Sequence, residues 1–143
     1  GTISYGDIYA VQPFGNTLMT VTLTGAQLHA LLEQQWSVAD GVERQMILAP
    51  SGTLRYAWSP ARPVGARIDP ASITIDGAPL ELARSYRVTA NNFLADGGDG
   101  FTVLREGTDR TPGPLDLDPL TAYLAAHSPV APPSRDRIAQ LAP

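Results

Sequence analysis

The sequence predicts an α+β domain with a mixed or largely antiparallel sheet and two main flanking helices. Three observations carry this prediction: an apolar stripe of helical period near residue 30, a middle third in which apolar residues alternate, and a second helical pattern after residue 117. The chain has 143 residues, of which 43% are hydrophobic and 17% charged. This length and composition predict one packed domain over residues 1–143 rather than a disordered chain.

The first predicted helix follows directly on a strand. Asn16–Leu23 alternates Leu or Val with Thr, a pattern typical of a strand. Thr24 stands three residues before Gln27, which is the spacing of a capping box, so we expect the helix to begin at Gly25. It should run over about Gly25–Trp36, because large apolar side chains recur there at helical spacing: Leu28, Leu31, Leu32 and Trp36.

The middle third of the chain has a different period. Short alternating runs are separated by turn-forming pairs such as Ser51-Gly52 and Asp76-Gly77, which predicts a β-meander. Its expected strands are Met46–Leu48, Leu54–Trp58, Val64–Ile68, Ile73–Ile75 and Leu80–Leu82, followed by Tyr86–Ala90.

The C-terminal part predicts the second helix. Asp118 is its expected cap and Pro119 its first residue. Its predicted face carries Leu120, Tyr123, Leu124 and His127, and the Pro-rich segment Pro129–Pro133 should be extended.

Charge and composition exclude several classes of function. The formal net charge is -4 and all ten basic residues are arginine, so there is no dense basic surface for nucleic acid. The arginines, with the abundant Ala, Gly and Pro, fit the codon bias of a GC-rich bacterial genome, and most are interpreted as surface residues. No apolar run is long enough to span a membrane, and the first residues do not read as a secretion signal.

The sequence offers no catalytic or metal-binding set. Cysteine is absent, and the two histidines, His29 and His127, are far apart with no carboxylates clustered near them. His29 is better explained by packing beside its helical stripe, and His127 by the dipole at a helix C-terminus. Ser51 lies in a turn and lacks the context of a nucleophile. We therefore predict no catalytic residue and no metal site in this chain.

Two segments that contain turn-forming Gly, Pro, Asn or Asp residues are candidates for ligand binding. Phe14 and Phe93 each lie at a junction between a loop and a regular element, where a ring can face a flat heterocycle. Asp99 lies in the Gly-rich loop Asp96–Gly100; its carboxylate would repel a phosphate but accept from ribose hydroxyls. The alternatives are that the rings fill the core and that the loop is a tight turn whose amides Asp99 satisfies.

These segments carry a family resemblance. Tyr5–Thr17, which contains Pro13-Phe14-Gly15-Asn16, then Leu23–Leu28, and finally Tyr86–Phe101, which contains Asn92-Phe93-Leu94 and Gly97-Gly98-Asp99-Gly100, occur in that order. In sequence and order they resemble the C-terminal domain of the 5'-nucleotidase family, over almost the whole chain. The resemblance implies the fold of that domain, a nucleotide or nucleoside as ligand, and a separate N-terminal metallophosphatase domain that holds two divalent metal ions.

The resemblance also implies roles for individual residues. Phe14 and Phe93 would sandwich the base, Asp99 would accept from the ribose, and Asn16 would contact the base, as it does in some members of the family. Gly97 and Gly98 would let the backbone pass close to the sugar. The family's substrate-contacting arginines lie upstream of its Pro-Phe-Gly-Asn motif, so we expect the chain to begin inside the domain, its pocket to be incomplete and its affinity to be low.

Several functions share this resemblance. The leading expectation is a hydrolase that releases phosphate from nucleotides outside the cytoplasm, in the periplasm, cell wall or medium. The alternatives are a 2',3'-cyclic nucleotide phosphodiesterase, a UDP-sugar hydrolase, a thiosulfate-processing relative, or a degenerate interaction module without a ligand.

Overall fold

The computed structural model describes residues 1–142 as a mixed α+β fold. Its longest helices are α2 (Gly25–Glu33) and α4 (Leu117–His127), which confirms the two main helices. The remaining α-helices and strands, in chain order, are α1 (Tyr5–Val11), β1 (Thr17–Thr24), β2 (Trp36–Ala39), β3 (Val42–Gln45), β4 (Leu54–Trp58), β5 (Thr74–Ile75), β6 (Ala78–Pro79), β7 (Ser85–Asn91), α3 (Asn92–Ala95), β8 (Thr108–Leu115) and β9 (Ile138–Gln140). Short 3-10 helices span Pro70–Ser72, Gly98–Gly100 and Thr102–Glu106.

The strands of residues 1–142 form three sheets. The main sheet has the order β7-β1-β8 and is antiparallel. A second sheet, in the order β6-β5-β4-β9, is antiparallel except that β9 runs parallel to β4. Strands β2 and β3 form a hairpin. This arrangement confirms the predicted mixed, largely antiparallel architecture.

The hydrophobic core has two parts. The first core cluster joins β1, α2 and the segment after the Gly-rich loop, and the second core cluster joins the end of α2 to β2, β4 and the 68–73 segment. The first contains Val21, Leu23, Leu28, Leu31, Phe101, Val103 and Leu104, and the second contains Leu32, Trp36, Tyr56, Trp58, Ile68 and Ile73.

Helix α2 begins where the capping pattern predicts. Thr24 accepts a hydrogen bond from the Gln27 amide at 3.2 Å, and the Gln27 side chain accepts one from the Thr24 amide at 2.9 Å. The predicted end at Trp36 is wrong: the helix ends at Glu33, and Trp36 begins β2. The Glu33 carboxylate accepts from the Arg67 and Ile68 amides at 3.0 and 2.6 Å, which ties the helix end to the second core cluster.

The predicted meander is correct only in part. Strands β4, β5 and β7 coincide with expected runs, and β4-β5-β6 pair consecutively. Met46–Leu48, Val64–Ile68 and Leu80–Leu82 are not strands, although Ile68 forms a single bridge to Trp58. Leu48, Val64, Ile68 and Leu80 contact the core clusters from loops, whereas Met46, Ile47 and Leu82 are exposed, so the alternation there does not mark a strand.

The second helix is also displaced from its predicted start. Asp118 is not its cap: the helix starts at Leu117 after Asp116, and Asp118 lies in the first turn. An acidic side chain in that position favours the helix through its dipole rather than through a capping hydrogen bond. Within the described residues, no helix is long and apolar enough to cross a membrane.

Candidate functional site

The two motif segments meet at one end of the main sheet. Strand β1 starts immediately after the Pro13–Asn16 segment, and β7 ends immediately before Asn92. Because the strands are antiparallel with Leu18 opposite Asn91, the start of one lies beside the end of the other. The Thr17 amide donates to Asn92 Oδ1 at 3.0 Å across this junction. Residues about 75 positions apart in sequence are thereby held as neighbours.

Phe14 lies in the loop between α1 and β1. The loop turns at Gly15, which has φ +61°. The Asn16 carbonyl accepts from the Asp116 amide at 2.9 Å, which fixes the end of the loop to the start of α4. Phe14 is 77% exposed, so its ring belongs to neither core cluster.

Phe93 lies on the short helix α3. Asn91 caps this helix by accepting from the Leu94 amide at 2.8 Å. Phe93 is 51% exposed, whereas Phe101 at the far end of the Gly-rich loop is 1% exposed. The alternative that Phe14 and Phe93 fill the core is therefore wrong, and their role in stacking a base stays a prediction.

The Gly-rich loop turns through left-handed backbone conformations. Gly97 has φ +88°, Asp99 has φ 55° and Gly100 has φ +85°. Asp99 is exposed, and its carboxylate makes no hydrogen bond within residues 1–142, so it does not satisfy loop amides there. The left-handed conformation is not by itself a sign of function, since Asp40 and Asp76 adopt it in ordinary turns.

Glycine is required at position 98 for a packing reason that the sequence alone does not show. A Cβ atom at this position would lie 2.5 Å from Cε1 of Phe93 and 2.6 Å from its carbonyl oxygen. The loop therefore packs directly against the Phe93 ring, and only glycine permits that contact. The predicted approach of Gly97 and Gly98 to a sugar remains untested beside this packing role.

Three further polar residues at this end were missed by sequence reasoning. Asn91 caps α3, Asn92 bridges to β1, and Arg110 of β8 bonds to Asp96 of the Gly-rich loop. The Asn-Asn pair before an apolar run is a capping signal that was available in the sequence. Nothing local marks Arg110, because its partners lie on another element.

Each histidine lies within hydrogen-bond distance of a backbone carbonyl. His29 lies on α2, its Nε2 is 3.0 Å from the Ile68 carbonyl oxygen, and its side chain is partly buried. His127 Nδ1 is 2.9 Å from the Tyr123 carbonyl oxygen, and the two rings stack at 4.2 Å. Within residues 1–142 no group of three or more His, Cys, Asp or Glu side chains comes together that could hold a metal ion.

A separate cavity of about 870 Å³ runs along β7 between the main and second sheets. Its walls include Leu28, Leu48, Leu54, Ile75 and Asp116. Phe14, Phe93 and Asp99 do not line it. The three candidate residues are therefore presented on the loop surface at the end of the main sheet, outside this cavity.

Comparison with known proteins identifies the fold first. The chain superposes with a TM-score of 0.79 on a 5'-nucleotidase precursor from Thermus thermophilus, at 37% sequence identity, covering 97% of this chain and 28% of that one. It is thus a domain of the 5'-nucleotidase fold.

The sequence comparisons name the family. The family described as "5'-nucleotidase, C-terminal domain" matches residues 1–106, and the chain belongs to it. A 5'-nucleotidase-related protein of Glossina morsitans morsitans is 34% identical over 145 residues, covering 96% of this chain and 26% of that protein. A cell wall protein of Listeria monocytogenes is 35% identical over 105 residues, covering 73% and 13%. The chain spans about a quarter or less of the length of these relatives.

Proposed function

We propose that this chain is the nucleoside-recognising domain of a 5'-nucleotidase-type hydrolase that releases phosphate from nucleotides. The observation that carries the proposal is the exposure of Phe14 and Phe93 on two segments that β1–β7 pairing brings to the same end of the sheet. Membership in the 5'-nucleotidase family supports it. Asp99 lies six residues after Phe93, on the loop that packs against that ring.

The proposed mechanism is positioning. The base stacks on the Phe14 and Phe93 rings, and the Asp99 carboxylate accepts from the ribose hydroxyls. Binding energy far from the phosphate then orients the phosphate for reaction. The N-terminal metallophosphatase domain of the parent protein would hold two divalent metal ions that supply the hydrolytic chemistry. This chain contributes the nucleoside contacts, with Asn16, Gly97 and Gly98 shaping the edge of the site.

Aromatic stacking is tested first. Adenosine, AMP and UDP-glucose are titrated into the chain and into Phe93→Ala, with binding followed by NMR shifts. Stacking on one ring contributes about 1–3 kcal/mol, so the dissociation constant for adenosine should rise about 5- to 150-fold. Tyr123→Ala is the matched control, because Tyr123 is 52% exposed and lies on α4. Equal affinity in the chain and in Phe93→Ala would refute the stacking role.

Ribose recognition is tested by a double comparison. Adenosine should bind the chain more tightly than 2',3'-dideoxyadenosine, and this preference should shrink in Asp99→Asn. Asparagine tolerates the left-handed backbone of Asp99 but removes the charge. A hydrogen bond to a charged group contributes about 1.5–3 kcal/mol, which sets a difference of roughly 10- to 150-fold. An unchanged preference in Asp99→Asn would exclude the carboxylate.

The proposed division between domains has its own test. Phosphate release from AMP should be absent when the chain is assayed alone with Mn²⁺ or Mg²⁺. Measurable turnover would mean that the chemistry lies in this domain. For location, we infer that the parent protein acts outside the cytoplasm; the similarity to a cell wall protein supports this.

A further inference from the structure

We propose that Arg110 is a positioning residue for nucleoside binding, because it fastens both ends of the Gly-rich loop to the main sheet. The consequence for binding rests on the proposed function, whereas the fastening itself does not. Arg110 lies on β8, an edge strand of the main sheet. The loop between Asp96 and Leu104 carries Asp99 and packs on Phe93.

The Arg110 guanidinium makes three contacts with this loop. Its Nη1 donates to the Ala95 carbonyl at 3.1 Å and to the Leu104 carbonyl at 3.3 Å. Its Nη2 donates to Asp96 Oδ1 at 2.7 Å. Ala95 and Asp96 precede the glycines and Leu104 lies in the 3-10 helix Thr102–Glu106 that follows them, so one side chain holds the segments on both sides of the Gly-rich loop.

The carbonyl contacts matter more than the ion pair. Ala95 is fully buried, and a buried carbonyl without a partner costs about 1–3 kcal/mol. The Leu104 carbonyl also accepts from the Gly107 amide at 3.4 Å, so the Ala95 contact is the one that Arg110→Ala leaves without a partner. Ala95 also ends α3, where the last carbonyls have no partner within the helix and a cation is favourable. The Asp96 side chain is 69% exposed, and an exposed ion pair contributes little.

The backbone hydrogen bonds within the loop are local, so they determine its conformation but do not attach it to the main sheet. Gly97 donates to Leu94, and Phe101 donates to Gly98, both over three residues. The far side of the loop is anchored by buried Phe101 and by the Gln34 side chain of α2, which accepts from the Val103 amide at 3.2 Å. Arg110 supplies the anchor to β8, so its loss should free the Asp96–Gly100 side of the loop first.

The chain provides a matched control in Arg87. Its guanidinium also makes three hydrogen bonds, to Thr22 Oγ1, the Asp109 carbonyl and Thr111 Oγ1, at 2.8–3.0 Å. These contacts join β7, β1 and β8 but do not reach the Gly-rich loop. Arg87→Ala therefore removes an arginine of similar bonding from the same sheet without removing a bond to the loop.

The experiment measures amide hydrogen exchange of peptides covering 96–104 in the unmodified chain, Arg110→Ala, Arg110→Lys, Asp96→Asn and Arg87→Ala. Adenosine affinity is measured on the same proteins. We expect exchange in the loop of Arg110→Ala to rise at least about tenfold, since the two bonds to carbonyls, of about 1 kcal/mol each, are lost together with the exposed ion pair. The exchange rate of the loop in Arg110→Lys should lie between those of the unmodified chain and Arg110→Ala. Asp96→Asn should change this rate little, and Arg87→Ala should leave it unchanged.

The outcomes separate the fastening from the function. Loop exchange that is unchanged in Arg110→Ala, or raised equally throughout the chain, would overturn the proposal. If Arg110→Ala does not fold, Arg110→Lys decides by the same criterion, because lysine keeps the charge but not the planar fork. A rise confined to the loop together with weaker adenosine binding supports the whole inference. If the unmodified chain binds no adenosine, the proposed function fails, and loop exchange still decides the fastening.

Discussion

The aromatic side chains of this domain occupy two regions with opposite packing. In the second core cluster, Trp36 and Trp58 are 2% and 7% exposed, and their ring centroids lie 4.8 Å apart. At the end of the main sheet, Phe14 and Phe93 are 77% and 51% exposed. The first pair stabilises the fold by burial. The second pair contributes less burial, and its exposed rings are free to take the proposed role in ligand binding.

The largest expected effect is on the packed side of this contrast. Phe101→Ala removes a ring that is 1% exposed in the first core cluster, so the free energy of unfolding should fall by about 3–5 kcal/mol. Urea unfolding followed by circular dichroism measures it. A loss below about 1 kcal/mol would mean that this ring is not tightly packed, and the contrast between the regions would weaken.

Gly98→Ala tests the contact that joins the glycine loop to Phe93. The added Cβ would lie 2.5 Å from the ring and 2.6 Å from the Phe93 carbonyl oxygen, so ring and backbone must shift. Overpacking of this kind costs about 1–3 kcal/mol in unfolding free energy, and adenosine affinity should fall with it. Gly52→Ala is the control, because its nearest contact would be Arg137 Nη2 at 3.8 Å. A lower free energy of unfolding with unchanged adenosine affinity would mean that the position of the Phe93 ring does not affect adenosine binding.

A pH dependence belongs to the second core cluster. Burial raises the pKa of the Tyr56 hydroxyl, against a smaller opposite effect of its hydrogen bond to Gln35. The unfolded tyrosine loses its proton at about pH 10, whereas the folded one retains it. The contribution of Tyr56 to the free energy of unfolding should therefore be fully present below the unfolded pKa, near pH 10, and be lost as the pH rises through the folded pKa.

Tyr56→Phe should flatten this alkaline loss, as measured by urea unfolding between pH 8 and 11. Tyr5→Phe should not, because Tyr5 is 65% exposed. An equal alkaline slope in Tyr56→Phe and in the unmodified chain would assign the loss to another group.

The smallest expected effect is on the exposed side. Phe14→Ala should change the free energy of unfolding by no more than about 0.5 kcal/mol, as is usual for a surface position. Urea unfolding of this variant belongs beside that of Phe101→Ala. A loss of 2 kcal/mol or more would show that Phe14 is packed in solution, and the two regions would no longer differ in kind.

Local signals in the sequence predicted the elements that local interactions determine. The Thr24–Gln27 capping box fixed the start of α2, and the alternation of Tyr86–Ala90 marked β7. A similar box, Ser4 with Asp7, caps α1 and was not used in the prediction, although the Ser4 amide donates to Asp7 Oδ2 at 2.8 Å.

Other elements depend on distant partners and left no usable pattern. Strand β8 contains Pro112 and Pro114, which argue against a strand; they are tolerated because β8 is an edge strand with irregular register. Strand β9 is three residues long and pairs with β4, about 80 positions earlier in the sequence. The β2–β3 hairpin has the turn pair Asp40-Gly41, but β3 is exposed along its length and shows no apolar face.

The candidate site also has features that the local sequence predicts and features that depend on distant partners. Phe14, Phe93 and Asp99 could be selected from motif and residue type, and their exposure agrees with that choice. The contact of Gly98 with Phe93 and the bonding of Arg110 could not, because both arise only when separate segments are placed side by side.

The pairing of Leu18 with Asn91 makes the site sensitive to strand length. Alternate side chains of a strand point to opposite faces, so inserting or deleting one residue within Thr17–Thr24 or Ser85–Asn91 would invert one strand relative to the other. The Thr17–Asn92 contact would then be lost even though every motif residue was still present. These two short stretches are therefore expected to keep a constant number of residues.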